Sequence, residues 1–370
     1  MVDVAVVGAG LSGLICAKQL QKVGYEVAIV EKSRGLGGRL ATRRIAGTWA
    51  DHGVRYLELQ GFLTQQLLDI MGDRAILHAW DIPVSQVNSD DVIPLPTGRY
   101  VADQGLTAVA KALAEGLNIH RGQRVVAIAP HVDGWMLTCE TVASTPDEPL
   151  THLTAKALVL MIPAPQALDL TQPLVAEHPS LLQVVQSLQS VEFDPCITAI
   201  AAYAPGTLDP NPTMQACHFT SHPTLAWVSV DARKQSRFST ADAIAVVVQS
   251  NATFAEQHLD DGDLVPVGQS LLEAAAPCLS ESLVQPEIVQ VHRWRYAFCR
   301  TPYPTPYVQS VEPGLLLCGG DWCGGSQVED ALGSGLQTAI ALDRRMEHRM
   351  DEQLEAGNSR MDLRALFCLT

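Results

Sequence analysis

Hydrophobic and polar positions change rhythm several times along this chain. Val4, Ala5, Val6 and Val7 form an unbroken apolar run that stops at Gly8, the pattern of a strand covered on both faces. Residues 11–23 switch to helical spacing, with Leu11, Leu14, Ile15, Ala17 and Leu20 apolar and Gly24 at the end. The stretch EVAIVE at 26–31 reads as a second strand, so the chain opens with a predicted βαβ unit whose first loop lies between strand and helix. A turn-rich basic stretch, SRGLGGRLATRR, covers 33–44. Residues 61–82 read as helix and then irregular chain, 87–100 as loop or short edge strands, and 105–115 as helix. Strands are predicted near 118–121, 124–129, 134–140 and 156–162, with an exposed connection at 141–152. From about 163 the βα rhythm is lost, and apolar segments near 181–191, 197–203, 225–230 and 244–250 mix with Pro-rich loops. Strand character returns at 314–318, followed by a loop and a long helix from near Val328. The charged tail 346–370 is expected to be partly disordered, and no internal repeat is present.

Length and composition narrow the classes. A chain of 370 residues exceeds what one core usually supports, which predicts two domains. With 47% hydrophobic and 18% charged residues it can bury a large core. The formal net charge of −15 repels phosphate backbones and argues against a nucleic-acid partner. An anionic ligand must then be held by local positive groups. The nine Cys are odd in number and include no C-x-x-C pair, which predicts buried free thiols in a reducing compartment and no metal site. No basic segment precedes the first apolar run, and no stretch reaches the length of a membrane span, so a cytoplasmic protein is expected.

Candidate chemistry starts at the first loop. Gly8, Ala9, Gly10, Leu11, Ser12 and Gly13 fit G-x-G-x-x-G between strand and helix. The first glycine allows the turn, the second the approach of a pyrophosphate, and the third close helix packing. Glu31 ends the second strand, where a carboxylate can accept from the hydroxyls of an adenosine ribose and would repel a 2′-phosphate. A Gly-rich turn in an ordinary α/β protein would explain the glycines but not Glu31 in that place.

The segment KSRGLGGR (32–39) resembles flavoproteins of the amine-oxidase and renalase group, in which a G-G-R segment follows the ribose carboxylate. That resemblance implies FAD, with Lys32, Arg34, Gly37, Gly38 and Arg39 along its diphosphate and ribityl chain. The segment ADHGVRYL (50–57) matches the group's D-x-G-x-x-Y/F pattern through Asp51, Gly53 and Tyr56. It places His52, Gly53, Val54 and Arg55 near the cofactor, with His52 and Arg55 facing isoalloxazine or substrate. Val125 sits where members place a backbone contact to adenine. At the far end, G-D-W-C followed by V-E-x-A-x-x-S-G, with H-R-W-x-Y-A at 292–297, looks like the bacterial renalase branch. Asp321 is then a ribityl or phosphate contact, and the helix carrying Val328 and Ala331 is expected to aim its N-terminus at the flavin pyrimidine.

The resemblance implies an α/β fold: a Rossmann-type FAD-binding domain of the glutathione reductase/p-hydroxybenzoate hydroxylase kind, with a second, mixed-sheet α+β substrate domain. Its expected parts are 1–60, 98–165 and 310–345 for FAD, and 61–97 with 166–309 for substrate. The implied reaction takes a hydride from a 2- or 6-dihydronicotinamide nucleotide, or from NAD(P)H, to noncovalent FAD, with O2 as acceptor and H2O2 as product. Trp294, Tyr296 and Trp227 are the candidate pocket walls, Trp322 is a further one, and Arg295 is a candidate contact to substrate phosphate. Amine oxidation, NAD(P)H:acceptor oxidoreduction and a non-catalytic FAD-binding role remain alternatives. A disulfide reductase is disfavoured, because Cys16 has no paired Cys and no second glycine fingerprint occurs.

Overall fold

The computed structural model describes residues 1–88, 91–142, 149–208, 215–237, 243–347 and 362–367. The strand Val2–Val7 (β1) leads into the helix Leu11–Lys22 (α1) and the strand Val27–Glu31 (β2). β1 lies between β2 and Thr151–Leu160, parallel to both. Asn118–Arg121 extends the parallel set beyond β2, and Leu315–Cys318 extends it beyond Thr151–Leu160. The antiparallel strands Gln123–His131, Gly134–Thr141 and Val308–Ser310 complete an eight-stranded sheet.

The apolar run of β1 has a simple cause. Val4 and Val6 enter one core with α1, while Ala5 and Val7 enter the core on the opposite face. A strand buried on both sides cannot alternate. None of the described helices is long and apolar enough to cross a membrane.

The second sheet has seven strands. In order they are Ile288–Thr301, Glu192–Tyr203, Ile244–Ser250, Leu225–Val230, Ala216–Phe219, Val84–Val87 and Val92–Pro94. All neighbours are antiparallel except Ala216–Phe219 with Val84–Val87, so the sheet is mixed as expected. The helix Val265–Leu279 packs Leu271, Leu272 and Ala275 onto one face. On the other face, Ile200, Ala202, Ala245 and Val247 meet Ile45 and Ala50. These last two belong to a hairpin of Thr42–Ile45 (β3) and Thr48–Asp51 (β4).

Several elements differ from the sequence expectation. The end of the basic stretch is strand β3, and residues 182–189 are helical. The helices Ala252–His258 and Val265–Leu279 and the 14-residue strand Ile288–Thr301 were not predicted. Of the expected connection at 141–152, residues 143–148 lie outside the described residues, as do 348–361 and 368–370 of the tail, including Cys368. Within 362–367, Leu363 and Leu366 pack into the core that contains α1.

Candidate active site

The first loop is fixed by its own backbone. Gly8 has φ +104°, and its N–H donates to Val30 O at 2.9 Å. A Cβ on Gly8 would sit 2.4 Å from Met161 O, and one on Gly13 2.0 Å from Gly8 O. Both glycines are therefore required by the fold. Gly10 is different: its backbone is extended, and a Cβ there would meet nothing within 4 Å. The protein leaves open space where the motif places the pyrophosphate, and the residues fit a dinucleotide on that ground. The turn at 37–38 lies alongside, with Gly37 bridged to Gly10 and its N–H donating to Ala9 O at 2.9 Å.

Glu31 braces this loop. One carboxylate oxygen accepts from Ala9 N and the other from Ser33 N, both at 2.7 Å. The Ala9 amide thus donates to Glu31. Leu11 and Ser12 are buried, Leu11 in the core and both at the start of α1. Lys32 and Arg34 are exposed beside Glu31. Val125 is buried at a register shift in its strand, and that strand follows Gly122, whose N–H donates to Ser33 O.

Arg39 joins the two ends of the chain. Its guanidinium donates to Asp321 at 2.5 Å and to Ala297 O at 3.1 Å. The loop after β4 lies against it: Val54 N donates to Arg39 O at 2.8 Å, and a Cβ on Gly53 would sit 2.1 Å from that oxygen. Along the C-terminal helix Val328–Arg345, Gly335 packs on Ser12 O of α1. Ala331 is buried and Val328 half-buried. The first turn of this helix is not a bare positive end. Gln327 N donates to Asp330, Glu329 N to Gln60, and the Glu329 carboxylate accepts from Leu63 N and Thr64 N. Asp330 thus caps this helix, whereas the Glu329 carboxylate caps the start of the helix Phe62–Asp73.

His52 is 5% exposed and its Nδ1 has no hydrogen-bond partner among the described residues. Trp294 stacks on it at 5.3 Å, His292 meets it edge-on at 4.7 Å, and Trp294 Nε1 donates to His52 O at 2.8 Å. Burial, with repulsion from His292 and Arg43, lowers the His52 pKa to about 3. Burial and Arg43 lower His292 to about 4. Both imidazoles are neutral at pH 7.

The other candidate walls are placed differently. Tyr296 meets Phe193 at 5.6 Å, and its hydroxyl pKa is raised by burial and by Asp169. Trp227 is a core residue, 1% exposed, with Nε1 donating to Ser229 and the Arg55 guanidinium over its ring. Arg55 therefore stands between part of this ring and any neighbouring space. Trp322 is fully buried and donates to Ile162 O. Arg295 is exposed and pairs with Asp260, so it is a surface residue.

One group escaped the sequence. Lys234 is 1% exposed and bonds Asp51 at 3.2 Å and Asp231 at 2.8 Å. Asp231 also accepts from Asp51 N and from Ser229 Oγ, and Asp51 accepts from Thr42 Oγ1 and Leu106 N. The Lys234 pKa is raised by the two carboxylates, which outweigh burial. Asp51 was legible as part of its motif. Asp231 and Lys234 carried only an i, i+3 spacing, too common to signal a site.

Residues 6–70 match the NAD(P)-binding Rossmann-like domain model, and residues 84–342 match flavin containing amine oxidoreductase. The chain is 25% identical to mouse renalase over 368 residues, 93% of this chain and 99% of that one. Among solved structures it is similar to cyclohexylamine oxidase from Brevibacterium oxydans IH-35A, with TM-score 0.68, 12% identity, and coverage of 94% of this chain and 99% of that one. A putrescine oxidase double mutant matches with TM-score 0.66, 15% identity, and coverage of 93% and 99%. Both likenesses speak to the fold.

Proposed function

The chain belongs to the flavin containing amine oxidoreductase family and is an FAD-dependent oxidoreductase, and within that family we propose a renalase-like enzyme that oxidises dihydronicotinamide nucleotides. The observation that carries this reading is the similarity to mouse renalase along nearly the whole of both chains. When bound, FAD supplies a two-electron acceptor at N5 for the hydride leaving the dihydropyridine ring, and returns both electrons to O2 as H2O2.

The chain's own residues hold and shape. The open face at Gly10 and the Gly37–Gly38 turn receive the pyrophosphate, Glu31 the adenosine ribose, and the Arg39–Asp321 pair the ribityl side. Trp294 fixes His52 by stacking and by its hydrogen bond. The neutral His52 and His292 neither take nor give a proton near pH 7, which suits a reaction that moves a hydride and asks no general base of the protein. The thiols support noncovalent attachment: burial pushes Cys299 up to about 11 and Cys323 higher still, which disfavours a thiolate at either.

The test is anaerobic mixing of the FAD-loaded protein with 6-dihydroNAD(P), 4-dihydroNAD(P)H or a panel of amines, following flavin bleaching. Fast bleaching by a dihydronicotinamide is expected. Fast bleaching by an amine alone overturns the reading, and a flavin that no donor reduces favours a binding-only protein.

A further inference from the structure

Two arginines, Arg55 in the loop after β4 and Arg99, make no ion pair among the described residues, although Glu58 is the cross-strand neighbour of Arg99. Arg99 is 5% exposed, lies on the strand Arg99–Val101, and holds its guanidinium 5.2 Å from the centre of the Tyr56 ring. Its Nε is sealed from solvent without an acceptor, and its side chain has neither ion pair nor hydrogen bond among the described residues. Arg55 holds its guanidinium 5.0 Å from the Trp227 ring and donates only through Nε, to Gln249 at 2.7 Å. It too has no carboxylate partner among the described residues. The Tyr56 and Trp227 rings are 5.8 Å apart and inclined at 58°, so each guanidinium stands against one ring of an adjoining pair.

Neighbouring buried cations are treated otherwise. Arg39 is paired with Asp321, and Lys234 with Asp51 and Asp231. The chain has 40 acidic residues against 25 Lys and Arg, so acids are not scarce. Burying a guanidinium without a counter-charge is costly unless an anion arrives from solution. A guanidinium fork meets an oxyanion through two parallel hydrogen bonds, and the ring behind it leaves the fork edge free.

We propose that Arg55 and Arg99, backed by Trp227 and Tyr56, form a substrate subsite for an oxyanion, a phosphate or a carboxylate. It rests on the reading of the substrate as a dihydronicotinamide nucleotide, whose phosphate is that anion. The same pair repels a protonated alkylamine.

The test uses the FAD-loaded protein, titrated with inorganic pyrophosphate and with benzoate while flavin absorbance and tryptophan fluorescence are followed. Pyrophosphate is expected to bind in a salt-dependent way, and Arg99→Gln and Arg55→Gln are each expected to weaken it roughly ten- to a hundredfold. Arg99→Lys, which keeps the charge and loses the fork, is expected to fall between. In anaerobic reduction, KM for 6-dihydronicotinamide mononucleotide should rise in both variants, while that for the uncharged riboside stays unchanged. Benzoate binding tighter than pyrophosphate, with the same response to the variants, assigns the subsite to a carboxylate substrate.

Wild-type protein that binds neither anion, or variants that bind them equally well, overturns the subsite. Should Arg99→Gln fail to take up flavin, the wild-type titration and Arg55→Gln decide. Anion binding that behaves as expected in a protein whose flavin no dihydronicotinamide reduces keeps the subsite and removes the proposed function.

Discussion

Gly10 and Gly13 belong to one motif but carry different constraints. A Cβ at Gly13 would collide with Gly8 O, whereas at Gly10 it meets only open space. Gly13→Val is therefore expected to destabilise the fold itself, seen as a lowered Tm without cofactor. Gly10→Val is expected to keep its Tm and lose FAD, measured by retained yellow colour and by the thermal shift on adding FAD. A Gly10→Val protein with normal FAD affinity removes the pyrophosphate from that loop. The histidine pair sets a second expectation. Their folded pKa values lie below the ordinary 6.5, so the unfolded chain binds more protons over the interval. Their stability contribution is complete above pH 6.5 and is lost as pH falls toward about 4 for His292 and about 3 for His52. The slope is about 1.4 kcal/mol per group for each pH unit. His52→Asn should flatten the fall in urea midpoint between pH 6 and 4; an unchanged slope shows that His52 is not the titrating group.

At the scale of elements, the β3–β4 hairpin is held to the second sheet by packing and by charge. Ile45 and Ala50 supply the apolar contact, and Asp51 enters the sealed group with Lys234 and Asp231. Lys234→Met would leave two carboxylates facing each other without a counter-ion. The expected loss is about 3–5 kcal/mol by urea unfolding, partly restored by adding Asp231→Asn. Equal stability of Lys234→Met and wild type would mean that the hairpin is held by packing alone. Asp51 was legible as part of its motif but its pairing was not, because Asp51 and Lys234 are 183 positions apart. The β1–α1–β2 unit was legible because its periodicity, glycines and Glu31 all lie within 31 residues. The helix Val265–Leu279 was obscured by Pro266 near its start and Pro277 near its end. The strand Ile288–Thr301 was obscured because most of its residues are half-buried or exposed, so no simple alternation marks it. Arg99 lies in a stretch that reads as loop or short edge strands, which gives no sign that its guanidinium sits against the Tyr56 ring.

For the whole molecule, the decisive contact is between the chain's two ends. Leu315–Cys318 completes the parallel sheet begun by β1, and Gly335 seats the last long helix on α1. The Arg39–Asp321 pair, 282 positions apart, adds a charge contact, and Arg39 also holds Ala297 O in the second sheet. One side chain thus connects the first loop region, the G-D-W-C segment and the strand that carries Trp294. The pair is partly exposed, with side-chain accessibilities of 28% and 13%, so water screens part of its charge. A double-mutant cycle of Arg39→Gln and Asp321→Asn is therefore expected to give a coupling of about 1 kcal/mol in cofactor-free protein. In the presence of FAD the coupling should change, because the proposed cofactor contact adds a third partner to the pair. A cycle that reads the same with and without FAD would place the cofactor away from Arg39 and Asp321, and leave the pair as a clasp between the two ends.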